Sequence, residues 1–176
     1  MKQASRFMPK YEPKAANKLA LIGLLLLTTA IVIYQPIFLA IVAGIALLAL
    51  AWSKFEEPKI EKYFAELCEE RKGLSICNFA REFDSRAVDT WVIRAVYEQL
   101  QAALETKQKL PIRASDNLFD TLKLDEDDLD LDLVEEIAQR TGRSIEDFEN
   151  NPYYGKVTTA RNLVLFFNHQ AYVKAI

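Results

Sequence analysis

Leu19 to Trp52 reads LALIGLLLLTTAIVIYQPIFLAIVAGIALLALAW, a run without one charged side chain. It is too long for one ordinary membrane span and is broken at Gln35-Pro36. Proline lacks a backbone N–H and disfavours helix in the residue before it, so a turn belongs at 35–36. Each half is then ~24 Å of helix against a hydrocarbon core of ~30 Å. The shortfall is one that flanking residues and local thinning can absorb. Neither half has a polar face, which disfavours a buried soluble hairpin. The expectation is a transmembrane helical hairpin over 19–53.

The flanks orient it. Residues 1–18 carry Lys2, Arg6, Lys10, Lys14 and Lys18 against Glu12, and Lys54 and Lys59 follow the second helix. The connecting turn has no charge. The positive-inside rule then places both termini in the cytoplasm, with Tyr34 and Trp52 at interface depth. Ala40 and Gly44 form a small-xxx-small pair that would let the two helices approach closely. No ionisable group lies at membrane depth, so nothing there suggests transport or a proton relay.

The net charge of −3 hides an asymmetry, because the basic N-terminus is followed by an acidic remainder. An acidic soluble part is a poor match for nucleic-acid phosphates. Five glycines and 27% charged residues favour a helical domain. Cys68, Cys77 and the single His169 form neither a disulfide framework nor a zinc set, which leaves two reduced cytosolic thiols.

Beyond Trp52 the chain reads as helices. Residues 54–83 form connector helices, the first with Pro58 near its start and stopped by Gly73, the second capped by Ser75. From Asp84 to the C-terminus lies an acidic helical domain. Its first helix carries Val88, Trp91, Val92, Ala95, Val96 and Leu100 on one stripe and ends near Thr106. Arg86 and Arg94 look like surface partners of Asp89. A loop around Pro111 leads to an acidic helix closed by Gly142. Thr158-Thr159 caps a last helix with Leu163, Val164 and Phe167 inward. Tyr153 and Tyr154 pack the intervening loop, and His169 lies exposed beyond the stripe.

The segment DNLFDTLKLDEDDLDLDLVEEIAQRTG (116–142) resembles the entry of an acyl carrier protein into its second helix. VTTARNLVLFF (157–167) is similar to that family's last helix, which opens on a hydrophobe and two threonines. The resemblance covers roughly residues 86–168 and is closer to a divergent, uncharacterised bacterial branch whose second helix begins with acidic pairs. It implies a four-piece helical bundle and an acidic second helix on which basic partner enzymes dock. A carrier also needs a serine there for its phosphopantetheine arm. Glu126, Asp127 or Asp128 stands at that place, and no serine lies between Ser115 and Ser144. The resemblance therefore implies the face of a carrier without its acyl chemistry.

From Asp116 to Glu149 thirteen acidic residues face three basic ones. The acids can stabilise the positive end of a helix dipole by ~0.3–1 kcal/mol each. They can steer a basic partner. They can hold a divalent ion, since Asp125 and Asp127 mimic the start of a calcium loop, although its turn glycine is missing. Paired-carboxylate catalysis would need one shielded carboxyl with a raised pKa, which this density of acids does not suggest. The partner-binding residues expected are Asp125, Glu126, Asp127, Asp128, Asp130, Asp132, Glu135 and Glu136, with no catalytic, cofactor or metal residues.

These readings combine into an all-α protein of the bacterial inner membrane. A two-span hairpin is followed by a cytoplasmic acyl-carrier-like bundle. The expected role is non-catalytic, presenting an acidic domain to a basic protein partner, with no cofactor, nucleic acid or small-molecule substrate. The alternatives are a structural accessory subunit of an inner-membrane complex and an acidic divalent-ion-binding module.

Overall fold

The computed structural model describes residues 4–12, 18–34, 36–104, 106, 108–125 and 133–173. Among them the chain is all-α, with six helices: α1 (Lys18–Tyr34), α2 (Pro36–Glu70), α3 (Ile76–Arg81), α4 (Thr90–Ala103), α5 (Val134–Thr141) and α6 (Ala160–His169). Short 3₁₀ turns lie at Ser5–Phe7 and Phe148–Asn150. Asn117 with Thr159 and Arg143 with Tyr172 make isolated bridges rather than strands. Two compact units result, one of Glu12–Tyr63 and one of Met1–Tyr11 together with Phe64–Ile176.

In the first unit the uncharged run from Leu19 to Trp52 leaves large apolar side chains exposed. Leu19, Leu26, Leu48 and Trp52 are 78%, 65%, 73% and 69% exposed. The hydroxyls of Thr28 and Thr29 in α1 are satisfied within the helix, both donating to the Leu25 carbonyl, at 2.9 and 2.7 Å. A Cβ added at Gly44 would meet open space, so the Ala40/Gly44 pair is not a helix–helix contact here. Among the described residues no helix is long and apolar enough to cross a membrane. The two spans expected from the sequence are therefore not supported by these helices taken alone.

The sequence places a fresh helix start near Pro58, but α2 runs unbroken from Pro36 to Glu70 with Pro58 inside it. Proline there removes the hydrogen bond to the carbonyl four residues back and crowds that carbonyl with its ring. The charged residues on both sides are good helix formers, and the helix continues through it. It ends where Gly73 takes a positive φ of 88°.

The second unit is built around α4, which packs against α3, α5, α6 and the 3₁₀ turn at Ser5–Phe7. The Asp89 carboxylate caps its start by accepting from the Trp91 amide at 2.9 Å. Val92, Ile93, Ala95, Val96, Tyr97, Gln99 and Leu100 are buried along it. Trp91 is only half-buried, a correction to the expected stripe. Ile93 and Tyr97 take core positions instead, because α4 is covered on several sides and a single stripe undercounts its buried face. The helix also stops at Ala103, short of Thr106.

Residues 64–83, expected as connectors, join this core. Phe79 on α3 has no exposed surface, and its ring lies 5.2 Å from the rings of both Phe83 and Tyr97. Opposite, the loop after α4 buries Leu110, Ile112, Ala114, Leu118 and Leu122. The same loop caps α6, whose first amide groups would otherwise lack partners. Ala160 and Arg161 amides donate to the carbonyls of Asp116 and Ala114 at 2.9 and 2.8 Å, and Thr159 Oγ1 accepts from the Asn162 amide. Leu163, Val164 and Phe167 are buried, as their spacing predicts. Gly142 closes α5 with a left-handed φ of 66°.

Candidate functional site

The acidic segment leads into α5. Asp125 is exposed, whereas Glu126, Asp127, Asp128, Asp130 and Asp132 lie outside the described residues. Leu133 follows, 2% exposed, and fixes the start of α5 against the core. Glu135 and Glu136 are half-buried on its first turn. Glu136 does not point wholly outward, because the Gln99 amide of α4 donates to its carboxylate. The first of the acids, Asp116, is an internal residue. It is 4% exposed and receives a two-pronged ion pair from Arg71 at 2.7 and 2.8 Å, plus the Arg113 amide at 2.8 Å. Arg71 also donates to the Pro111 carbonyl at 3.0 Å, so this pair ties the end of α2 to the loop after α4.

A second charge cluster centres on Glu98. Arg94, one turn earlier on α4, donates to Glu98 at 2.8 Å, and Arg140 from α5 donates to the other carboxylate oxygen. Burial pushes the Glu98 carboxyl up, but the hydrogen bonds from Arg140 and Arg94 outweigh it and hold the group below the usual carboxylate range. Arg140 donates further to Gln99 Oε1 at 2.7 Å and to the Pro9 carbonyl at 3.2 Å. Arg94 reaches Ser5 Oγ at 3.3 Å, and Met8 is buried beside this cluster's strap of chain. The N-terminal segment is thus held on the helical unit by two arginines and a methionine.

No family model, curated protein or solved structure matches this chain. Its chemistry must be read from its own residues.

A third cluster joins the C-terminal segment to the cap of α4. Arg143 stacks 3.9 Å over the Tyr172 ring and donates to the Gln170 carbonyl at 2.6 Å. Tyr172 donates to Asp89 Oδ2 at 2.9 Å. Asp89 is therefore the partner of Arg143 and Tyr172, not of Arg86 and Arg94 as the sequence suggests. Arg86 precedes α4, where its amide caps an Asp84 turn, and Arg94 turns to Glu98.

The remaining candidates carry little chemistry. Among the described residues no group of three metal-ligating side chains comes together. Cys68 and Cys77 are free thiols, half-buried and exposed. Burial pushes the Cys68 thiol up against the pull of Arg71, which keeps it protonated and a poor nucleophile at neutral pH. His169 is exposed, with Nδ1 2.8 Å from the Leu165 carbonyl and its ring beside Tyr153. Tyr154 is 51% exposed and stacks on Phe148 rather than on the core.

What the sequence did not single out is a basic cleft of about 490 Å³. Arg94, Tyr97 and Glu98 line it from α4 and Arg140 from α5, and Lys10 and Lys109 belong to the same lining. Only the Arg94/Glu98 spacing was visible in the sequence, as an i,i+4 pair. Lys10, Lys109 and Arg140 reach it from segments far apart in the chain.

Proposed function

We propose that the protein is anchored in the bacterial inner membrane by the α1/α2 hairpin and presents an acidic, carrier-like helical unit to a basic protein partner in the cytoplasm. One observation carries the anchoring. The charge-free run of residues 19–52 has large apolar side chains left open, from Leu19 to Trp52, on a scale far beyond the patches of an ordinary soluble surface. Water does not tolerate such a surface, whereas lipid does. The intrahelical bonds of Thr28 and Thr29 suit a medium with no other partner for a hydroxyl. Residues 36–53 of α2 are uncharged and ~27 Å long, close enough to the ~30 Å core for modest thinning to close the gap.

The topology is supported by the strap. Residues before the hairpin (Met1–Tyr11) and residues after it (Phe64–Ile176) belong to one compact unit. Two segments folded together cannot lie on opposite faces of a bilayer, so the chain between them must enter and leave by the same face. The basic flanks select the cytoplasmic face. The exposed thiol of Cys77 offers the test. A membrane-impermeant maleimide labels it in inverted inner-membrane vesicles and leaves it untouched in intact spheroplasts. Labelling in spheroplasts would overturn the topology, and release of the protein by alkaline carbonate would overturn the anchor.

The docking role rests on the local excess of acids over 116–149, reduced by Asp116 and Glu136, which serve internal contacts. The carrier-like reading is supported by the order of long α4, loop, short α5, the 3₁₀ turn at Phe148–Asn150 and Thr159-capped α6. With no serine at the attachment point, a promiscuous phosphopantetheinyl transferase adds no mass to the protein. A mass gain equal to the arm would remove the non-carrier part of the proposal.

A further inference from the structure

The basic cleft lies apart from the acidic segment and is not used by the docking role. It is open to solvent, and four of its lining residues are cationic (Lys10, Arg94, Lys109 and Arg140) against the single carboxylate of Glu98. This is a local reversal of sign in a unit whose sequence after residue 53 is acidic. The two arginines are held in place, Arg94 by Glu98 and Ser5, and Arg140 by Glu98, Gln99 and the Pro9 carbonyl. They share one negative charge between them, so the floor of the cleft keeps a net positive charge. Lys10 and Lys109 are exposed and make no hydrogen bond or ion pair among the described residues. Tyr11, Ile76, Tyr97, Gln99 and Gln101 complete the lining.

We infer that this cleft binds a phosphate-bearing anion, with the ammonium groups of Lys10 and Lys109 as its direct ligands and the Arg94/Arg140 pair as the fixed positive floor. The geometry favours phosphate chemistry for three reasons. Converging cations around a partly enclosed volume favour a compact multivalent anion over a single carboxylate. Preorganised arginines cost little ordering on binding. The volume is large enough for a headgroup-sized ligand. Two sources carry that chemistry, a soluble phosphate and the headgroup of an anionic phospholipid.

The full-length protein in an uncharged detergent provides the test. It is titrated with inorganic phosphate at ionic strength held constant with chloride. In parallel it is titrated with dihexanoyl-phosphatidylglycerol below its micelle concentration, with dihexanoyl-phosphatidylcholine as the zwitterionic control. Binding is read from the rise in Tm, expected to be ~3 °C near saturation. A rise with inorganic phosphate assigns a soluble ligand. A rise with phosphatidylglycerol alone assigns the lipid headgroup. No rise with either anion beyond the chloride and phosphatidylcholine controls overturns the inference. The double change Lys10→Ala/Lys109→Ala weakens binding about tenfold or more, as expected for losing charge-assisted contacts. Lys10→Arg/Lys109→Arg keeps it within about threefold. Because both lysines are exposed, neither variant endangers the fold. Wild-type affinity in the double alanine variant, or an equal loss in Lys72→Ala elsewhere on the unit, also overturns it.

Discussion

Asp116 and Glu98 are both carboxylates in ion pairs with arginine, yet their surroundings give them different energetics. Asp116 and Arg71 are each 4% exposed. Asp116→Ala would leave the Arg71 guanidinium buried without its counter-charge, a loss of about 3–5 kcal/mol. A thermal melt of the full chain should show that loss as a large fall in Tm. Replacing both partners by apolar residues of similar volume should restore most of it, because it removes the buried charge along with its partner. Glu98 is 36% exposed, so solvent screens its pairs and Glu98→Gln costs only about 1 kcal/mol at neutral pH. Its folded pKa lies below its unfolded value. The stabilisation is therefore complete above the ordinary carboxylate range and disappears as pH falls through the depressed folded value. Melting curves of wild type and Glu98→Gln should be separated at pH 7 and converge in acid. A gap that widened in acid would contradict the arrangement.

At the scale of elements, the unexpected contributor is the loop between α4 and α5. Its residues 108–125 form no helix or strand, yet they bury six apolar side chains and supply the carbonyls that cap α6. Leu118 has no exposed surface, and its amide donates to the Thr158 carbonyl at 2.9 Å. Leu118→Ala should cost about 2–5 kcal/mol, as much as a change in the middle of α4. Denaturant unfolding of the two variants compares them directly, and a loss below about 1 kcal/mol would mean that the loop is only a cover. The N-terminal strap is the second such element. Met8→Asp forces a carboxylate into an apolar site that is 8% exposed and should lift the strap. Faster hydrogen exchange across the Arg94 and Arg140 turns would report it, while the Phe79 side of α4 stays protected.

For the whole molecule, the decisive contrast is between an apolar unit with its side chains outward and a polar unit with an ordinary core. Placing arginine in the middle of α2, as Leu47→Arg, carries a cost of about 2.5–3.5 kcal/mol if that helix sits in lipid. The protein should then partition out of the carbonate-resistant membrane fraction. Leu47 is 67% exposed and makes no part of the core, so the same change should leave the melting of the helical unit unaltered. An unchanged membrane fraction would separate the apolar run from any role as anchor.

Local chemistry made the helices legible in the chain. Proline at 36, glycine at 73 and 142, Ser75 and Thr159 act over three or four residues, so the breaks, stops and caps they dictate are found where they stand. The alternation of apolar residues likewise marked Val92, Ala95, Val96 and Leu100 as interior. Pairing between distant segments left no such trace. Nothing in residues 4–11 announces that Pro9 meets Arg140, or that Arg71 finds Asp116 forty-five positions away. A charge pattern records how many charges there are, and only tertiary packing settles which ones face each other. That is why Asp116 and Glu136, counted with the acidic surface, turn out to serve internal contacts. It is also why the basic cleft, assembled from five segments of an acidic unit, exists only in three dimensions.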